Sequence, residues 1–199
     1  NISLAPQSEI DSEAEYFYFQ RRFNNAYILI NQLLQKGAEL FQFKYDNGQS
    51  EEVFPEDAVF VSNKDRIPNE LRELSDTFEV PVHSVASRIN REKVELKPVR
   101  LGIYQSWLAN MDEGWTRLVL DTFRFHYTPI HNQRIINGSL EKDFDAIIIP
   151  DMSISGIVDG TYQWADPDRL GNPLIPEKYR GGIGEQGARN LTSFVLKGG

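Results

Sequence analysis

Hydrophobic and polar positions change period several times along the chain, and each change marks an element. "YFYFQ" (16–20) has strand composition. "NNAYILINQLLQKG" (24–37) places Ile28, Leu29, Leu33 and Leu34 at helical spacing and ends on Gly37, a good helix terminator. "AELFQFKYDNG" (38–48) alternates and then reaches a turn signal at Asp46-Asn47-Gly48. "EEVFPEDAVFVS" (51–62) predicts a strand pair, or one strand bent around Pro55. "IPNELRELSDTFEV" (67–80) predicts a helix with Pro68 near its first turn, and "PVHSVAS" (81–87) a short closing strand. The order β-α-β-β-α-β suits a small ferredoxin-like or similar α/β sandwich.

A charged stretch with Pro98, "REKVELKPVR" (91–100), reads as a link, and beyond it the pattern is that of a parallel α/β unit. "VRLGIYQS" (99–106) predicts a buried strand, "DEGWTRLVLDTFRF" (112–125) an amphipathic helix and "HYTPI" (126–130) a short strand. "HNQRIINGSLEK" (131–142) predicts a short helix ending near Gly138. "FDAIIIPD" (144–151) is continuously apolar, as in strands buried on both faces. A long loop over 152–183 then leads to a helix, "EQGARNLTSFVLKGG" (185–199). Two domains are expected, residues 1–96 and 97–199. A three-stranded parallel sheet ending on a helix stop predicts a sheet that continues beyond Gly199. The start at Asn1, with no signal-peptide pattern, predicts a processed protein or an excised piece of one.

Composition narrows the chemistry. The 199 residues suffice for one large domain or two small ones. Twelve Phe, eight Tyr and three Trp supply enough apolar bulk to offset ordering entropy. A net charge of -8 repels phosphate backbones and argues against a nucleic-acid partner. No apolar run approaches the ~18 residues of a membrane span. There are no cysteines, so disulfides, thiolate nucleophiles and Cys-bound zinc are excluded.

The most conspicuous motif is a literal G-x-G-x-x-G at Gly182, Gly184 and Gly187. In a dinucleotide-binding unit that loop directly follows the first strand. Here "NPLIPEKYRGG" precedes it, with two prolines and no strand pattern, and the chain stops before an acidic partner about 20 residues on. It reads as a loop whose glycines free the start of a helix, with an anion at that helix N-terminus as the ligand alternative.

Open parallel sheets gather ligands at the carboxyl ends of their strands. "YQSWLANMDEGW" (104–115) and "PDMSISG" (150–156) would bring Trp107, Asp112, Glu113, Trp115, Asp151 and Ser153 to one edge. Carboxylates beside tryptophans suit a sugar, a cation or a peptide amine. The competing expectation has Asp112 and Glu113 serving the helix dipole and Trp115 in the core. Ser106, Ser153 and Ser155 lie in no nucleophile elbow, and nothing marks His83, His126 or His131 as a base. The spacing of His126 and His131 matches no zinc pattern, so no metal site is expected in this chain. Two glycosylation sequons occur, at Asn137 and Asn190.

"VRLGIYQSWLANMDEGWTRLVLDTF", "FDAIIIPD" and "YRGGIGEQGARNLTSFVLKGG" resemble a region downstream of the catalytic domain in bacterial M14-family zinc-carboxypeptidase-like proteins. That region looks like a class I glutamine amidotransferase-like domain with a flavodoxin-like sheet, and the likeness covers roughly residues 97 to 199. The first half is similar in style to the segment preceding that domain. Neither catalytic centre carries over, because the H-x-x-E zinc pair is missing and no cysteine is present. The resemblance implies a non-catalytic portion of a larger secreted or periplasmic protein. It would pack against a peptidase domain of the same polypeptide, which could hold zinc while this chain holds no cofactor, shape substrate access there, or bind a small molecule or peptide at its sheet edge. Edge residues would be Trp107, Asp112, Glu113, Asp151 and Ser153, with backbone N–H groups from Gly182 and Gly184. A hydrolase or amidotransferase-like enzyme completed beyond Gly199, and a stand-alone small-molecule-binding module, are the alternatives.

Overall fold

The computed structural model describes residues 8–44, 54–64, 67–85, 89–107, 110–161 and 181–199. The chain divides into two compact units, 1–98 with 122–125, and 99–121 with 126–199.

The first unit contains β1 (Tyr16–Gln20), α1 (Ala26–Gln35), β2 (Leu40–Phe43), β3 (Ala58–Ser62), α2 (Pro68–Phe78), β4 (His83–Val85) and β5 (Lys93–Glu95). Its sheet has the order β4-β1-β3-β2-β5, and every pair is antiparallel. Side chains alternate between faces along a strand, so the aromatic-rich strands serve two clusters at once. Phe17 and Phe19 of β1 join Leu29 and Leu33 of α1, Val59 and Val61 of β3 and Leu71 of α2 in one core. Tyr16, Phe41 and Phe60 form a second cluster with Val85. Helix α1 stops because Gly37, at φ +82°, takes a left-handed conformation that costs glycine nothing.

Residues 91–100 were expected to be a link, but Lys93–Glu95 form a fifth strand, with Phe43 opposite Lys93 and Phe41 opposite Glu95. The ladder satisfies the open edge of β2, and a charged strand is a suitable edge for a sheet. The Lys93 ammonium lies 4.4 Å from the Tyr16 ring centre and 4.1 Å from that of Phe41. Of 51–62, the described part holds one strand at 58–62. The turn signal at 46–48 lies outside the described residues.

The second unit contains β6 (Leu101–Tyr104), α3 (Met111–Thr122), β7 (Tyr127–Ile130), α4 (Asn132–Ile136), a 3-10 turn (Leu140–Lys142), β8 (Ala146–Ile148), α5 (Ile154–Val158) and α6 (Gly184–Leu196). Its three strands are parallel in the order β7-β6-β8, so the chain reverses direction across the sheet after β7. The core joins Tyr104, Ile130, Ile135, Leu140, Phe144, Ile183 and Phe194. Gly102 sits in the central strand because a Cβ there would come 3.2 Å from the Phe144 ring.

The short helix expected within 131–142 ends near Gly138 as predicted, because Gly138 and Ser139 adopt left-handed φ values of 72° and 52°, and the 3-10 turn follows. Three expectations are corrected in this unit. The loop over 152–183 holds α5, while 162–180 lie outside the described residues. Strand β8 is half-buried, not buried on both faces, because only β6 pairs with it among the described residues. Trp115 is no core residue; it is 62% exposed on the outer side of α3.

Candidate functional site

The carboxyl edge of the parallel sheet receives the turns after β6, β7 and β8, and side-chain amides organise all three. Asn110 stands immediately before α3, and its Oδ1 accepts the backbone N–H groups of Asp112 (2.8 Å) and Glu113 (3.1 Å). An asparagine there satisfies donors that the first helical turn cannot satisfy itself. The same side chain donates from Nδ2 to the Asp151 carbonyl, 2.9 Å away, beyond the end of β8. Asp112 completes the link, its Oδ2 accepting the Asp151 N–H at 2.9 Å. The two turns on either side of the chain reversal are thus tied by two hydrogen bonds.

The ends of β6 and β7 are tied in the same way. The buried Asn132, first residue of α4, accepts from the Tyr104 hydroxyl at 2.7 Å and donates to the Gly181 carbonyl at 2.9 Å. His131 Nδ1 lies 3.0 Å from the Gln105 carbonyl. On the far side of α4, Asn190 of α6 donates to the carbonyls of Ile135 and Ile136, closing the C-terminal end of that helix.

Each expected edge residue has a definite place. Asp112 holds the Asp151 backbone. Glu113 is buried on the inner face of α3, where it accepts from Arg117 Nε at 2.8 Å, one turn on. Ser153 precedes α5 and its hydroxyl accepts the Gly156 N–H at 3.0 Å, an N-cap. Asp151 is exposed, and its main-chain N–H and carbonyl, not its carboxylate, make the links just described. Trp107 is 45% exposed.

The glycines of the G-x-G-x-x-G sequence serve packing. A Cβ on Gly182 would lie 2.2 Å from the Val158 carbonyl oxygen, so this backbone runs directly against the end of α5. Gly184 opens α6 at φ +62°, and a Cβ on Gly187 would lie 2.5 Å from that of Ile183. Ile183 donates its N–H to the Ile157 carbonyl at 2.8 Å, which fixes α6 against α5.

At the opposite end of the β6–β8 pair, Arg100 donates from Nη2 and Nε to Asp145, at 2.6 and 3.1 Å, and their backbones add two further bonds. The Arg100 hydrogen bonds hold the Asp145 carboxyl down at about 2.

No protein-family model, curated protein or solved structure matches the chain. Among the described residues, no group of three His, Asp or Glu side chains is placed to hold a metal ion. Nor is any described helix long and apolar enough to cross a membrane.

The composition of the edge shows what pattern reading overlooks. Asn110, Tyr104 and Asn132 organise it, and none stands in a catalytic motif. The only prior signal was positional: an Asn just before an amphipathic helix is a capping candidate.

Proposed function

We propose that this chain is a non-catalytic accessory portion of a bacterial M14 zinc-carboxypeptidase-like protein, secreted or periplasmic, that packs against the peptidase domain of the same polypeptide. The observation that carries the reading is the tie between the turns after β6 and β8. In doubly wound sheets ligands enter where the strand order reverses. Here Asn110, Asp112 and the Asp151 backbone occupy that place with bonds to one another. The Asn110 carboxamide and the Asp112 carboxylate are committed to holding the scaffold. The order β7-β6-β8 agrees with the start of a flavodoxin-like sheet, in which the first strand lies between the second and third. That order supports the amidotransferase-like reading of residues 97–199, while the absence of cysteine removes that family's nucleophile.

The test is to sequence the reading frame on both sides of this segment and assay the whole polypeptide with zinc. An upstream H-x-x-E with a later His, and zinc-dependent carboxypeptidase activity, is the expected result. A frame without those ligands refutes the reading. A downstream strand ending in a nucleophile elbow would refute it differently, by making this segment half of an active site.

A further inference from the structure

Helix α4 ends on Asn137 and Gly138, a pair with chemistry of its own. Glycine is required at the second position, where φ is +72° and a Cβ would come 3.2 Å from the Asn190 side chain. A glycine that follows an asparagine leaves its main-chain nitrogen unshielded by any side chain. That nitrogen is the one able to close a five-membered ring on the asparagine carboxamide. Asn137 is exposed, and no described residue bonds its carboxamide, so nothing in the fold retains the amide group.

The backbone around the pair opposes ring closure. Asn137 is helical, at φ -68° and ψ -18°. The Gly138 N–H donates to the Ile135 carbonyl at 3.1 Å, and the Gly138 carbonyl accepts from Arg134 Nη1 at 2.8 Å. From α6, Asn190 Nδ2 holds the Ile135 and Ile136 carbonyls at 2.9 and 2.8 Å. Ring closure needs the Gly138 nitrogen released from its bond and turned towards the Asn137 carboxamide, which undoes the last turn of α4.

We propose that Asn137–Gly138 is a site of spontaneous, irreversible deamidation, and that Asn190 is its gate. In the open state the Gly138 nitrogen, its proton lost to solvent, attacks Asn137 Cγ. The N–Cγ bond forms, the Cγ–Nδ2 bond breaks, and Nδ2 leaves as ammonia after taking up a proton. Water then adds to one carbonyl of the cyclic imide and opens it to aspartate or isoaspartate. Water is the sole co-reactant, and no electrons are transferred. Isoaspartate carries an extra methylene in the main chain, so Gly138 no longer meets Ile135 in register. The modification unlatches α4 from α6 in one direction only.

The test incubates the full chain in native buffer and in concentrated urea, and follows the Asn137 peptide by mass spectrometry. Main-chain fragmentation separates aspartate from isoaspartate. The expected native rate is below the urea rate by about tenfold or more, the ratio reading the fraction of open α4 ends. Asn190→Ala should raise the native rate about tenfold, because its two bonds no longer close the turn. Arg134→Ala frees the Gly138 carbonyl, should raise the rate through a different bond, and decides the matter if Asn190→Ala does not fold. Asn110→Ala weakens the same unit through bonds that do not involve α4, and should leave the rate within about twofold. A native rate equal to the urea rate, or one that Asn190→Ala leaves unchanged, would overturn the inference. So would an equal rise with Asn110→Ala, which would make global unfolding the gate, or an Asn137 that stays intact in Asn190→Ala.

Discussion

Replacing Asn110 tests whether the carboxyl edge is held by the bonds described. Its side chain does two separable things. Oδ1 caps α3 through two backbone N–H groups, and Nδ2 reaches the Asp151 carbonyl. Losing an N-cap costs about 1 kcal/mol, and losing one net hydrogen bond about another 1 kcal/mol. Asn110→Ala should therefore destabilise the second unit by about 2 kcal/mol. Asn110→Ser keeps a capping oxygen but loses the amide donor, so it should cost about 1 kcal/mol. The assay is urea unfolding followed by tryptophan fluorescence. Trp107, Trp115 and Trp164 all lie beyond residue 98, so the signal reports the second unit. In a thermal scan each kcal/mol should appear as roughly 4–8 °C in a unit of this size. An Asn110→Ala protein as stable as wild type would refute the assignment. Equal losses for Ala and Ser would show that capping contributes nothing and the tie everything.

Asp145 should make the second unit acid-sensitive only at very low pH. Its folded pKa, about 2, lies below the usual carboxylate value, so its contribution is complete above that usual value and fades as pH falls towards 2. The stability difference between wild type and Asp145→Asn should thus be flat from pH 7 to about 4 and shrink below it; a difference already shrinking near neutrality would contradict this. Gly182→Ala should cost about 1–3 kcal/mol by forcing α5 and α6 apart, and Gly184→Ala about 1–2 kcal/mol by backbone strain alone, both read by the same unfolding assay. If either variant matches wild type, the corresponding role is wrong. In a glycosylating host Asn137, exposed at the end of α4, should accept glycan while Asn190, bonded to two carbonyls, should not; mass spectrometry of the two peptides decides.

Elements with strong periodicity were legible in the sequence, and their limits show what periodicity measures. Helix α1 and strand β1 stand where the apolar spacing puts them, because local pattern and burial agree there. Strand β5 was not legible, since Lys93-Val94-Glu95 has no apolar face and pairs only because β2 offers an edge. Strand β8 has the composition of a central strand but sits half-buried at the margin of the described sheet. The competing expectation of Trp115 in the core failed because apolar spacing reports an apolar stripe, not the direction it turns. At the edge, Asp112 and Glu113 were recognisable as first-turn residues of α3. The bond from Asp112 to Asp151 was not, because it joins positions 39 residues apart.

Gly160 and Gly181 lie so close that a Cβ on the former would come 2.2 Å from the carbonyl carbon of the latter, and Ile157 binds Ile183 just beside them. Helices α5 and α6 therefore meet through bare backbone: a side chain at Gly160 or Gly182 would stand where the other segment's main chain already lies. The fit of the two helices depends on what these positions lack, so they are closed to every other residue type although neither carries a group that could do chemistry.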